Sequence, residues 1–210
     1  MKFQPDFGGS TETHVSYEEI SASPSVIKIL SGALDAIGER GVRRLSMSDI
    51  IEASGVSRGT LYKYFSNKDD VLAAVAEFVC TGFENGIADA ARGIDDPVER
   101  FRAVMLFYSR YTNENSPDRV FEVEPQFHLS FFRTRFSRYK AAVANALAPV
   151  FAHLESLLGR DIDREAYVEA LVRLQMSTLL VPATQSWTDR WNSSADDLET
   201  WALGLARVEA

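Results

Sequence analysis

From Pro24 onward the apolar positions recur at helical spacing, and no stretch replaces that period with strict alternation. Val26, Leu30, Ala33, Leu34 and Ile37 form the first stripe, opened by Ser23-Pro24 as N-cap and N1 and closed by Gly41. Ser46 and Asp49 make a Ser-x-x-Asp capping box ahead of Ile50, Ile51 and Ala53, the expected apolar face of a second helix. Gly55 permits the positive φ of a sharp reversal, Val56 fills the angle, and Ser57 caps a third, short helix over Arg58–Tyr64. Leu61 and Phe65 would hold that helix to the core, leaving Arg58, Thr60, Tyr62 and Lys63 outward.

Beyond it, Val71, Leu72, Val75, Phe78 and Val79 predict a linker helix from Asn67 to about Asn85. Arg92–Asp96 reads as a loop, and Asp96-Pro97-Val98-Glu99 as the start of a helix running to about Asn113. Asn113–Glu124 is turn-rich and acidic. Gln126–Leu158 is a long helical stretch, with Pro149 expected to kink or split it and Gly159 closing it. Asp163 opens a further helix to about Val181, where Pro182 interrupts. Thr184–Ser194 is expected to be a loop holding Trp187 and Trp191, with Ser194 capping a last helix that carries Leu198, Trp201, Leu205 and Val208. The pattern predicts an all-α chain: a flexible arm over 1–22, a three-helix head over 23–70, and a larger helical domain over 71–210.

Composition sharpens this picture at two points. The net charge is −8, yet Ser25–Asp70 carries seven basic and six acidic side chains, so the remainder carries −9. Ser57–Lys68 holds Arg58, Lys63 and Lys68 with no acid between them, a locally basic face on an acidic body. Cys80 is the one cysteine, which excludes an intrachain disulfide or a thiolate zinc site. No apolar signal segment and no membrane-length run is evident, so a soluble cytoplasmic protein without a membrane partner is expected. The arm pairs Lys2 with Asp6, Glu12, Glu18 and Glu19, a balance unsuited to phosphate.

Polar residues massed at the start of the second helix of a helix–turn–helix suit entry into a DNA major groove. Ser57 to Leu72, Ser-Arg-Gly-Thr-Leu-Tyr-Lys-Tyr-Phe-Ser-Asn-Lys-Asp-Asp-Val-Leu, closely resembles the signature of TetR-family transcriptional regulators. So does the preceding amphipathic helix ending in Glu39-Arg40-Gly41. The resemblance covers about a quarter of the chain. Arg58 is the candidate for a guanine edge or a nearby phosphate, Thr60 for a thymine methyl or a phosphate, and Gly59 for close backbone approach. The resemblance implies that Tyr62 and Tyr64 contact the sugar–phosphate backbone, and that Lys68 holds a phosphate together with amides of the linker helix. Lys63 joins the phosphate contacts, and Ser46 and Ser48 are further candidate donors; Ser46 and Ser57 serve first as caps. Arg43 and Arg44 read as solvated. The family further implies a homodimer on a near-palindromic double-stranded operator, repression as the commoner outcome, and a linker helix whose tilt changes the separation of the heads. Its dimer contacts would come from Tyr167, Leu171, Leu174, Thr178 and Trp201 or Leu205, which read equally well as core.

A small hydrophobic effector is implied in the same way. Its candidate lining is Phe101, Met105, Tyr108, Phe127, Phe131 and Phe132, with Gln126, His128, Gln175 and Trp187 as polar handles. Ordinary core explains the same aromatics. Two rivals stand beside this reading. Catalysis lacks a phosphate loop, a nucleophile elbow or a Cys/His pair; Glu122, Glu124 and His128 suit a solvated turn better than a metal. No cofactor is expected. The other rival is a helical small-molecule-binding or protein-binding dimer whose head does not read DNA.

Overall fold

The computed structural model describes residues 23–115, 125–181 and 183–200, and among them there is no strand. The helices are α1 (Pro24–Arg40), α2 (Met47–Ser54), α3 (Arg58–Tyr64), α4 (Lys68–Ala91), α5 (Pro97–Asn115), α6 (Pro125–Leu158), α7 (Arg164–Leu180) and α8 (Gln185–Asn192). The chain divides into two compact units, one reaching Val79 and the other starting at Cys80, and α4 contributes to both. The arm over 1–22, most of the acidic turn, Pro182, Trp201, Leu205 and Val208 lie outside the described residues.

The first unit is built around α1. Val26, Ile29, Leu30, Ala33, Ala36 and Ile37 bury one face of it against Ile50 of α2, Leu61 of α3, and Val71 and Val75 of α4. Each fully buried Ile or Leu contributes about 1.5–3 kcal/mol relative to exposure. Ala53, expected on the apolar face of α2, is exposed. That helix needs only Ile50, with Ile51 and Met47 partly buried, because α1 approaches it so closely. A β-carbon on Gly32 would lie 2.5 Å from the Ser54 backbone, so the two helices cross backbone to backbone.

The second unit packs Phe83 and Ile87 of α4, Val104 and Met105 of α5, and Val143 and Leu147 of α6 into one core, all nearly inaccessible. Phe83 stands edge-on to Tyr139 at 4.8 Å, and Glu84 accepts two hydrogen bonds from Arg138 at 2.8 and 2.9 Å. Arg100 donates to the carbonyls of Ala146, Ala91 and Ile94, which ties the end of α4 to α5 and α6.

Several expected boundaries are corrected. α4 continues past Asn85 to Ala91 because Gly86 is a packing position, where a β-carbon would meet the Phe107 ring at 2.5 Å. α5 reaches Asn115. α6 is unbroken at Pro149. Pro149 and Asn145, whose carbonyl loses its amide partner there, are both exposed, while Leu147, Val150, Phe151 and Leu154 keep both sides of the break on one core. Thr184–Ser194 is not a loop: Thr184 caps α8 by accepting from the Trp187 amide, and Trp191 is buried, its indole donating to the Met105 carbonyl at 3.0 Å. Ser194 does not cap the last helix; its hydroxyl bonds back to the Trp191 carbonyl at 2.7 Å. The continuity of α4 and α6 also corrects the expectation of no membrane-length stretch. Both are long and apolar enough to cross a bilayer by length and composition alone, although here they join through the Glu84–Arg138 ion pair and a shared core.

Gly32→Ala tests the closest helix crossing. Alanine is the better helix former by about 1 kcal/mol, so propensity alone would stabilise the variant. The crossing opposes it, and we expect a net loss of roughly 1–3 kcal/mol in urea unfolding. A gain would mean that α1 and α2 part at little cost.

Candidate nucleic-acid interface

The interface candidate is a short helix held from behind and left open in front. Gly55 takes φ 66° and its amide closes α2 by donating to the Ile51 carbonyl, turning the chain sharply into α3. Ser57 caps α3: its hydroxyl accepts from the Thr60 amide at 3.1 Å and lies 2.8 Å from the Thr60 hydroxyl. Leu61 is fully buried and Phe65 nearly so. Between these anchors, Arg58, Gly59, Tyr62 and Lys63 are exposed and Thr60 half-buried. The Arg58 guanidinium lies 5.5 Å from the centre of the Tyr62 ring, and the Lys63 ammonium 5.3 Å from that of Tyr64. A β-carbon on Gly59 would meet nothing nearer than the Ser57 hydroxyl at 3.9 Å. Nothing inside the chain requires glycine there.

The remaining expected contacts sit around this helix. The Tyr64 hydroxyl is 3.2 Å from that of Ser23, which ties the end of α3 to the start of α1. Ser46 and Asp49 form the reciprocal capping box of α2. Its hydrogen bonds to Ser46, then the Arg40 guanidinium 2.5 Å away, hold the Asp49 carboxyl below the usual carboxylate range. Ser48 is exposed. Lys68 donates to the Val42 carbonyl at 3.2 Å. In the first turn of α4, Asn67 takes the Asp70 amide at 2.9 Å, and Asp70 accepts from Asn67 and Ser66.

The structure separates the expected effector-lining residues. Gln175 and Trp187 border a cavity of about 10 Å³ with Ser109, Thr178, Ala183, Thr188 and Trp191. That volume holds about one water. Phe101, Met105, Tyr108 and Phe131 are core, Phe127, His128 and Phe132 are half-buried, and Gln126 is exposed; none of these lines the cavity. Gln175 is itself buried and donates to the Tyr108 carbonyl at 3.2 Å. Burial keeps the phenols of Tyr108 and Tyr139 protonated and pushes that of Tyr111 up to about 12. Sequence reasoning missed Ser109, Thr178, Ala183, Thr188 and Trp191 as lining, Thr178 having been expected at the dimer contact. The Trp187/Trp191 spacing on a capped helix was the available signal. Among the described residues no group of His, Cys, Asp and Glu could hold a metal ion; Glu122 and Glu124 lie outside them.

Residues 29–75 match the family model described as bacterial regulatory proteins, tetR family. YvdT of Bacillus subtilis, an HTH-type transcriptional regulator, is 38% identical over 69 residues, which are 33% of this chain and 36% of that protein. This chain thus aligns with about a third of that relative's length. FasR of Mycolicibacterium smegmatis, an HTH-type transcriptional activator, is 25% identical over 166 residues, 76% of this chain and 70% of that protein. The crystal structure of AibR in complex with isovaleryl coenzyme A and operator DNA superimposes with a TM-score of 0.55 at 21% identity, covering 81% of this chain and 95% of that one. At that identity the likeness is one of fold.

One titration is set by this geometry. Burial pushes the His128 imidazole down to about 4 from 6.5, with Phe127 edge-on at 5.2 Å. Between those values the unfolded chain binds the proton and the folded chain does not. Stability is therefore whole above about pH 6.5 and falls as pH drops toward 4. We expect His128→Phe to flatten the thermal midpoint between pH 6.5 and 4.5 relative to wild type; parallel profiles would exclude His128 as the cause.

Proposed function

We propose that the chain is a member of the TetR family of bacterial regulatory proteins, whose model residues 29–75 match, and that it is a homodimeric transcriptional regulator reading a near-palindromic operator. The observation that carries this is the division of labour on α3. Leu61 and Phe65 bind the helix to the core, while Arg58, Gly59, Tyr62 and Lys63 are exposed. An unoccupied space beside Gly59 suits a helix that must bring its backbone against a base edge or phosphate.

A second surface supports the dimer. Tyr167 and Leu174 are 48% and 45% exposed at heptad spacing along α7, and Val181, the extended residue that caps its end, is 72% exposed, while Val168, Val172 and Gln175 are buried. One head covers too little DNA for tight binding, and a two-fold pair addresses two half-sites.

Repression relieved by a small hydrophobic effector is the regulatory reading, with the protein in the cytoplasm and no catalytic role. The AibR complex, which holds an acyl coenzyme A and operator DNA, supports the combination; the FasR relative is an activator, so operator position would set the sign. The small cavity between α5, α7 and α8 would have to widen to admit an effector.

The test is selection of bound sequences from a random duplex pool at moderate and raised salt. Enrichment of a palindrome that is lost as salt rises supports the reading. Failure to enrich anything with ligand-stripped protein would leave the helical binding dimer as the better account.

Two substitutions follow. Arg58→Ala should cost roughly 1–3 kcal/mol of specific binding and relax selectivity at one operator position. Equal weakening on all sequences would remove the base-reading role. Leu174→Glu should shift the protein toward monomer in sedimentation with its helix content intact, and an unaltered dimer would move the interface elsewhere.

A further inference from the structure

Between α1 and α2 the chain makes a tight turn, and its tip carries Arg43 and Arg44, both exposed. The turn is fixed on every side. Gly41, buried at φ 75°, closes α1, and the Leu45 amide returns to the Gly41 carbonyl at 3.2 Å. Leu45 is buried beside it. From α4, Lys68 reaches back to the Val42 carbonyl at 3.2 Å. The two guanidinium groups thus leave a backbone held in position.

The carboxylates nearby are mostly engaged. Arg40 pairs with Asp49 at 2.5 Å and Glu52 at 3.5 Å, so the acids of α2 do not confront an approaching anion unpaired. Asp70 is tied into the start of α4 by Ser66 and Asn67. Asp69 and Glu39 are exposed acids on α4 and α1. The start of α4, with Asp69 and Asp70 in its first turn and the Asp70 amide taken by Asn67, is a poor phosphate cradle. The turn beside it is a better one.

In a helix–turn–helix the first helix crosses the DNA backbone while the second enters the groove. The turn leading into α2 then faces the phosphates flanking that groove. We propose that Arg43 and Arg44 form a backbone clamp on DNA, and that Lys68 positions it through the Val42 carbonyl. The proposal rests on the DNA-reading function above. Arginine suits the role, since its planar fork can meet two phosphate oxygens at once.

The test measures binding to the selected operator against salt for the full-length protein. Each phosphate contact contributes about 0.9 to the slope of log affinity on log salt, so Arg43→Gln/Arg44→Gln should lower the slope by roughly 1.8 per head. Arg92→Gln/Arg160→Gln, removing equal charge from the second unit, should leave it unchanged. Lys68→Met should lower the slope in the wild type and do so much less once Arg43 and Arg44 are gone, because it acts through them. Circular dichroism and thermal midpoints would confirm that each variant folds. A wild-type slope in the double variant overturns the clamp, and an additive Lys68 effect overturns its positioning role. A wild type that binds no duplex at any salt overturns the DNA reading itself, and the clamp with it.

Discussion

A helix of seven residues makes barely two turns and cannot persist alone in water, because nucleation costs more than so few hydrogen bonds return. Contacts from the rest of the first unit keep α3 helical and fixed in direction. The left-handed Gly55 sets its angle, Ser57 holds its first turn, Leu61 and Phe65 clamp its inner face, and the Ser23–Tyr64 contact ties down its end. The close crossing of α1 and α2 at Gly32 is where that fixed direction begins, since α2 aims the turn and the turn aims α3.

Most of the first unit was legible in the sequence because its signals are local. Capping residues, the turn glycine and the 3.6-residue stripe all act within a few positions, and α1, α2 and α3 begin and end where those residues put them. The second unit was less legible because its determinants are distant. The linker helix was expected to end near Asn85, and Gly86 just beyond that point is a contact with Phe107. Pro149 looked like a break, but its missing donor falls on the solvent side of α6. α8 was read as a loop because its polar run hides a single buried tryptophan whose partner, the Met105 carbonyl, lies 86 positions away. The cavity beside it was missed for the same reason: its lining comes from α5, α7 and α8, and no periodicity within one helix reveals which side chains converge.

Charge distribution ties the two units to one electrostatic design. With −9 outside Ser25–Asp70, the bulk of the chain is repelled by a phosphate backbone at long range. Within the first unit, the capping carboxylate of Asp49 is needed for the fold of α2 and would otherwise weaken attraction to an anion. Arg40 lowers that cost without disturbing the cap, since Asp49 keeps its bonds to Ser46 while pairing with the guanidinium.

The second unit gathers buried polar groups at one place. Its core is tight, with a cavity fit for about one water, yet Ser109 and Gln175 are buried polar side chains at that cavity and Thr178 and Thr188 add hydroxyls. Buried polar groups are costly unless bonded, and Gln175 secures its place through the Tyr108 carbonyl. The polar groups gather where the short α8 closes over α5 and α7, and only Trp191 of that helix is buried. A short helix with one buried anchor opens at lower cost than α5 or α6, so α8 is the least firmly held wall of this cavity.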